Sequence, residues 1–242
     1  MSPTPQRIQL RGRLTRGVAW LVGILAVTFL VFLFAGAALK AQLASLLVLS
    51  PYGLFHEGKV WQLATSAVVY PPSDVVGFLL DGLMLFLFVP ILEKWWGTKR
   101  FVTFVIATSL VGNLAAAAVG AAIGQPLTPI YGLTPFIYGS IVAFGVLFAQ
   151  QPVQLFGVVP IKGSSLAIGA AALMALRVLL EREWVTGAGA FAGMALAYLM
   201  TSGTWTPNLW WLQWKRWRVR RKLGVLDGGG GAKKPDKQKW VN

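Results

Sequence analysis

Residues 17–39 read GVAWLVGILAVTFLVFLFAGAAL, an unbroken run without a charge between Arg16 and Lys40. A helix rising about 1.5 Å per residue needs roughly 20 apolar residues to cross a hydrocarbon core of about 30 Å. The stretch is therefore predicted to span a bilayer. Its basic flank and the small residues Ala35 to Ala38 also suit a secretory leader. The run exceeds the roughly 7–15 apolar residues of such a leader, which favours an uncleaved anchor.

Further apolar segments recur at 76–92, 101–123, 132–150, 164–180 and 185–202. Only 12% of the 242 residues are charged, 56% are hydrophobic and the mean hydropathy is +0.63. That depletion of charge marks lipid as the solvent. The expected class is all-α membrane, a bundle of six transmembrane helices. Residues 1–16 form a basic N-terminus and 17–203 the membrane domain. Within it, 40–75 is too broken to span and is predicted to lie partly in the interface, with Leu43, Leu46, Leu47 and Leu49 in a short helix. Trp61 and Tyr70, beside Pro71 and Pro72, suit the lipid–water boundary.

The formal net charge is +14, but its placement argues against nucleic acid. Six crossings with the N-terminus inside put 18 of the 22 Lys and Arg residues on the cytoplasmic side and four opposite. This is the bias of the positive-inside rule, and it places both termini in the cytoplasm. Residues 204–226 interleave Trp with Arg and Lys, which suits an interfacial segment on anionic lipid. Residues 227–242, opening on Gly228 to Gly231, read as a flexible tail. The chain has no cysteine and one histidine, His56. No disulfide framework, thiol chemistry, metal or cofactor is expected from that inventory.

Three motifs recur in order. Residues 92–101 read LEKWWGTKRF, with Glu93 and Gly97. Residues 132–139 read GLTPFIYG, with Gly132, Thr134 and Tyr138. The last span carries Thr186, Gly189 and Gly193. Together they resemble the rhomboid superfamily over about 17–203, through its Glu-x-x-x-Gly loop, its Gly-x-Ser-Gly fourth helix and its His-x-x-Gly-x-x-x-Gly sixth helix. The resemblance implies a rhomboid-like bundle in which Glu93, Gly97, Gly132, Tyr138, Gly189 and Gly193 are scaffold positions. Glycines four residues apart share a helix face and let another backbone approach.

The same resemblance implies that the chemistry is degenerate. The nucleophilic serine falls on Thr134, the glycine after it on Pro135, and the catalytic histidine on Thr186. The oxyanion positions fall on Gly77 and Asp81, and a Trp-Arg pair of the first loop reads Trp61-Gln62. A hydroxyl is a weak nucleophile without an adjacent base, and loss of the base costs on the order of 10⁶ in turnover. The expected function is thus that of a catalytically inactive rhomboid-like protein, which binds transmembrane segments of client proteins and affects their stability or trafficking. Asp81, Thr134 and Thr186 are its candidate client-binding residues. A carboxylate in a span is a functional suspect by default; the alternative is a protonated or hydrogen-bonded acid facing polar groups of the bundle, for which the resemblance makes Thr134 and Thr186 available partners. The alternatives are an intramembrane peptidase using Thr134 and a passive conduit in which Asp81 faces water. Short loops and absent cysteine suggest a bacterial inner membrane.

Overall fold

The computed structural model describes residues 14–150, 152–155 and 159–203. Its first helix, α1 (Arg16–Phe34), is shorter than the apolar run that predicts it. Ala35 and Gly36 leave helical geometry, with ψ of 142° and 162°, and the chain restarts as α2 (Ala37–Leu47). The predicted span to Leu39 is therefore cut at a small-residue pair, where the backbone entropy of glycine weakens a helix.

Residues 40–75 fold into a compact overlay of α2, α3 (Pro51–Phe55), α4 (Gln62–Thr65) and a 3₁₀ turn, Ser66–Val68. The last carbonyls of a helix have no intrahelical partners, and here α4 and its flank supply them. The Trp61 indole N–H donates to Leu46 O at 2.9 Å, Gln62 Nε2 to Ser45 O at 2.9 Å and Thr65 Oγ1 to Leu47 O at 2.9 Å. Trp61, half exposed, thus closes a helix end as well as facing the surroundings. Leu49 pairs with Ile130 across an isolated antiparallel bridge, which ties this overlay to the loop before the fourth predicted span.

The second predicted span is a bent pair, α5 (Val75–Leu87) and α6 (Val89–Trp96), meeting at 41°. Pro90 sits in the first turn of α6. Its ring lacks an N–H and clashes with the carbonyl four residues back, so a straight helix through Phe88 is disfavoured. Then come α7 (Thr98–Ala122), α8 (Thr134–Leu147), α9 (Gly163–Glu181) and α10 (Trp184–Thr201). Between α8 and α9 an antiparallel hairpin, β1 (Pro152–Leu155) with β2 (Val159–Lys162), occupies part of what the sequence predicts as plain loop.

Among the described residues, α1, α7, α9 and α10 are long and apolar enough to cross a membrane, and the bent pair makes a fifth candidate. The fourth predicted span, 132–150, shrinks to the 14 residues of α8. These rise about 21 Å, short of the roughly 30 Å core. Burial explains the tolerance: Pro135, Phe136, Ile137, Gly139, Ser140, Ile141, Ala143, Phe144 and Gly145 leave no broad face of α8 for lipid. A helix sheathed by others need not match the bilayer itself. By contrast, the outer helices expose large apolar side chains, such as Trp20 at 75% and Leu180 at 74%. In water such a surface would be an aggregation hazard; in lipid it is the expected exterior.

Successive helices run back and forth between two ends. The start of α1, the α6–α7 junction and the close of α10 share the first end, where Arg100 Nη2 donates to Met200 O at 3.3 Å. The 40–75 overlay, the α7–α8 loop and the α9–α10 turn share the second. At the centre, α10 packs on both α7 and α8 through small residues. A Cβ on Gly189 would lie 3.1 Å from Gly112 O, and one on Gly193 only 2.3 Å from Pro135 O. Aromatic rings fill the core behind them: Phe136 contacts Phe101 and Phe104 edge-on, with centroids 6.1 and 5.9 Å apart.

Candidate functional site

At the first end Glu93 is 3% exposed, and its carboxylate caps α1. Oε1 accepts from Gly17 N at 2.9 Å and Thr98 Oγ1 at 2.8 Å; Oε2 accepts from Val18 N at 3.0 Å and from the Thr15 hydroxyl. An anion here meets both the orphan N–H groups and the positive end of the helix dipole. Gly97 closes α6 at φ 76°, a conformation that suits glycine, and its N–H donates to Glu93 O at 2.8 Å. The Glu-x-x-x-Gly sequence thus joins two helices and pins a third.

Among the described residues Asp81 hydrogen-bonds to neither of the two threonines that the resemblance makes available to it. Its Oδ2 accepts from the Tyr70 hydroxyl, and that hydroxyl accepts from Leu133 N at 2.8 Å. Tyr70 is buried beneath Gly132, whose φ is 82°. A Cβ at Gly132 would press on the Tyr70 ring at 3.0 Å. Asp81 and Gly132 therefore act in one arrangement that orients the start of α8. Gly77 is engaged elsewhere again, as its N–H donates to the Asp74 cap of α5 at 3.0 Å.

Thr134 and Thr186 do come together. Both line a cavity of about 330 Å³ that opens at the second end and lies among α7, α8 and α10. Asp74, Arg177, Arg182 and Glu183 bring charge to its wall. Arg177 pairs with Glu181 at 2.8 Å and Glu183 at 3.5 Å. Arg182 holds a left-handed backbone at φ 54°, which is uncommon for a non-glycine residue. Neither threonine hydroxyl has a hydrogen-bond partner among the described residues. Asp81 and Gly77 do not line this cavity, and Tyr138 faces the cluster around Met174, Val178 and Ala190 instead. His56 is exposed and stacks on Tyr52 with centroids 4.8 Å apart, away from the cavity wall.

Asn113 is the cavity residue that motif reading misses. It is 1% exposed, and its Nδ2 donates to Leu63 O at 2.9 Å and Ser66 Oγ at 3.0 Å. Its Oδ1 has no partner. The signal was a lone amide inside an apolar helix, which is costly in lipid and calls for an explanation. A second hollow, apolar and of about 270 Å³, lies between α1 and α7 and is lined by Trp20, Leu21, Val105 and Ser109.

These features define a polytopic helical integral membrane protein with a polar cavity inside the bundle. Residues 20–201 match the family described as eukaryotic integral membrane protein (DUF1751), and the chain belongs to that family. No curated protein matches the chain.

Proposed function

We propose that the protein is a non-proteolytic, rhomboid-like membrane protein that binds transmembrane segments of other proteins. One observation carries this reading: Thr134 and Thr186, the positions that correspond to the rhomboid dyad, line one cavity without an imidazole beside them. A threonine hydroxyl with no base in hydrogen-bond reach is a poor nucleophile. The cavity keeps polar groups within a helical bundle, where they can be offered to another helix. The reading takes six crossings, with α8 (Thr134–Leu147) as the short central one and, by the positive-inside bias, both termini cytoplasmic. The eukaryotic description of the family moves the proposed location from a bacterial inner membrane to a eukaryotic membrane. The Trp/Arg segment at 204–226 lies outside the described residues, and anionic lipid remains its proposed partner.

The test is incubation of the purified protein in liposomes with a generic transmembrane substrate, with photocrosslinking run in parallel. Capture without cleavage is expected. Cleavage that vanishes in Thr134→Val would overturn the reading and establish the peptidase alternative.

A further inference from the structure

We propose that the cavity among α7, α8 and α10 recognises a carboxamide side chain, Asn or Gln, carried by the transmembrane segment of a client; this rests on the client-binding reading above. The argument starts at Asn113. The amide orientation is set by Leu63 O, which can only accept, so Nδ2 must face it. Neither Leu63 nor Ser66 lines the cavity, whereas Asn113 does. The nitrogen is thus committed outside the cavity, and Oδ1, buried and unpartnered, is the atom of this amide left to accept from an occupant that reaches it. Asn113 lies nine residues before the end of α7 at Ala122, roughly 14 Å below the second end. Thr134 and Thr186 add two free hydroxyls to the same wall.

An occupant has to donate to Asn113 Oδ1 and also satisfy hydroxyls that donate or accept. An ammonium group donates but accepts nothing, so the threonine hydroxyl protons find no acceptor on it. A carboxylate offers Asn113 no donor and meets Asp74 and Glu183. An alkyl side chain buries all three polar groups without partners. A carboxamide supplies two N–H donors and a carbonyl on one planar group, and it carries no charge for the mixed wall to repel. A single hydroxyl is amphiprotic too, but it has one donor and a shorter reach, so it ranks second.

The experiment uses the full chain in liposomes with a photoreactive phenylalanine analogue in place of Trp184, which is half exposed and lines the cavity. Synthetic polyleucine–alanine transmembrane peptides would carry Gln, Ser, Leu, Lys or Glu at one position, about 14 Å below the matching membrane surface. Capture of the Gln peptide is expected to exceed that of the Leu, Lys and Glu peptides roughly tenfold, with Ser between. Asn113→Leu should abolish the Gln preference while the Leu peptide is still captured. Thr186→Val, close to isosteric, should reduce the preference in a chain that keeps the Asn113 bonds to Leu63 and Ser66. Equal capture of all five peptides would overturn the carboxamide inference and leave client binding standing. A Gln preference that survives both variants would overturn it as well. Capture of no peptide would overturn the client-binding reading itself.

Discussion

Glu93→Gln keeps the shape of the side chain at the first end and removes one acceptor. Each carboxylate oxygen accepts one backbone N–H of α1 and one hydroxyl: Gly17 N and Thr98 on Oε1, Val18 N and Thr15 on Oε2. A carboxamide puts an NH₂ where one oxygen was. Whichever way it turns, one α1 N–H then faces another donor. Losing one charge-assisted bond costs about 1.5–3 kcal/mol. Losing the negative charge at the positive end of α1 adds about 0.3–1 kcal/mol. The expected destabilisation is about 2–4 kcal/mol. The exposed Glu57 pairs with Lys59 at 2.6 Å, and Glu57→Gln is expected to change stability by no more than about 1 kcal/mol. Unfolding in mixed micelles, followed by tryptophan fluorescence, reads both variants. Should the two unfold at the same denaturant, the carboxylate does not hold α1. The entry of that helix would then be set by packing of Val18, Leu21 and Leu25, which are buried on its inner face.

The glycine crossing is tested by Gly193→Ala, whose Cβ would lie 2.3 Å from Pro135 O. A loss of about 1–3 kcal/mol is expected from overpacking. Gly23→Ala has nothing within 4 Å of the added atom and should be neutral or stabilising by up to about 1 kcal/mol; equal effects in the two would refute the close crossing. Tyr70→Phe removes the hydroxyl between Asp81 and Leu133 N–H, and should cost about 1–3 kcal/mol in the same unfolding assay. Asp81→Asn keeps an acceptor for Tyr70 and should cost less; the reverse order would mean that Asp81 is held by something else. Because the chain has no cysteine, single cysteines report topology directly. Lys99→Cys, in the first turn of α7, and Leu127→Cys, beyond its last residue, should react with an impermeant maleimide from opposite faces of the membrane. Labelling from one face would remove α7 from the spanning helices.

Much of the membrane architecture was legible because lipid imposes a coarse rule on sequence. Long uncharged runs bounded by Arg, Lys and Glu mark where backbone groups must be satisfied within helices. The bend at Pro90 was not read from the 76–92 run, although the ring's missing N–H is a signal for it. The break at Ala35–Gly36 could not be read in advance, because small residues are common in unbroken spans. The 14-residue length of α8 was equally hidden. Its apolar run looks like any other, and only encirclement by neighbours makes a short helix acceptable.

The cavity divides in the same way. The rhomboid resemblance pointed to Thr134 and Thr186, and both line one cavity. It was silent on Asn113, whose significance depends on Leu63 and Ser66 taking its nitrogen from 47 to 50 positions away. It offered the threonines as available partners for Asp81, whereas the Tyr70 hydroxyl is the group that donates to it. By itself, then, the sequence determined the solvent of this protein, the order of its apolar segments and the absence of a histidine from every one of them. Those follow from composition and local periodicity. The tertiary structure alone decided which polar groups meet, because a hydrogen bond is fixed by distance and direction between residues far apart in the chain.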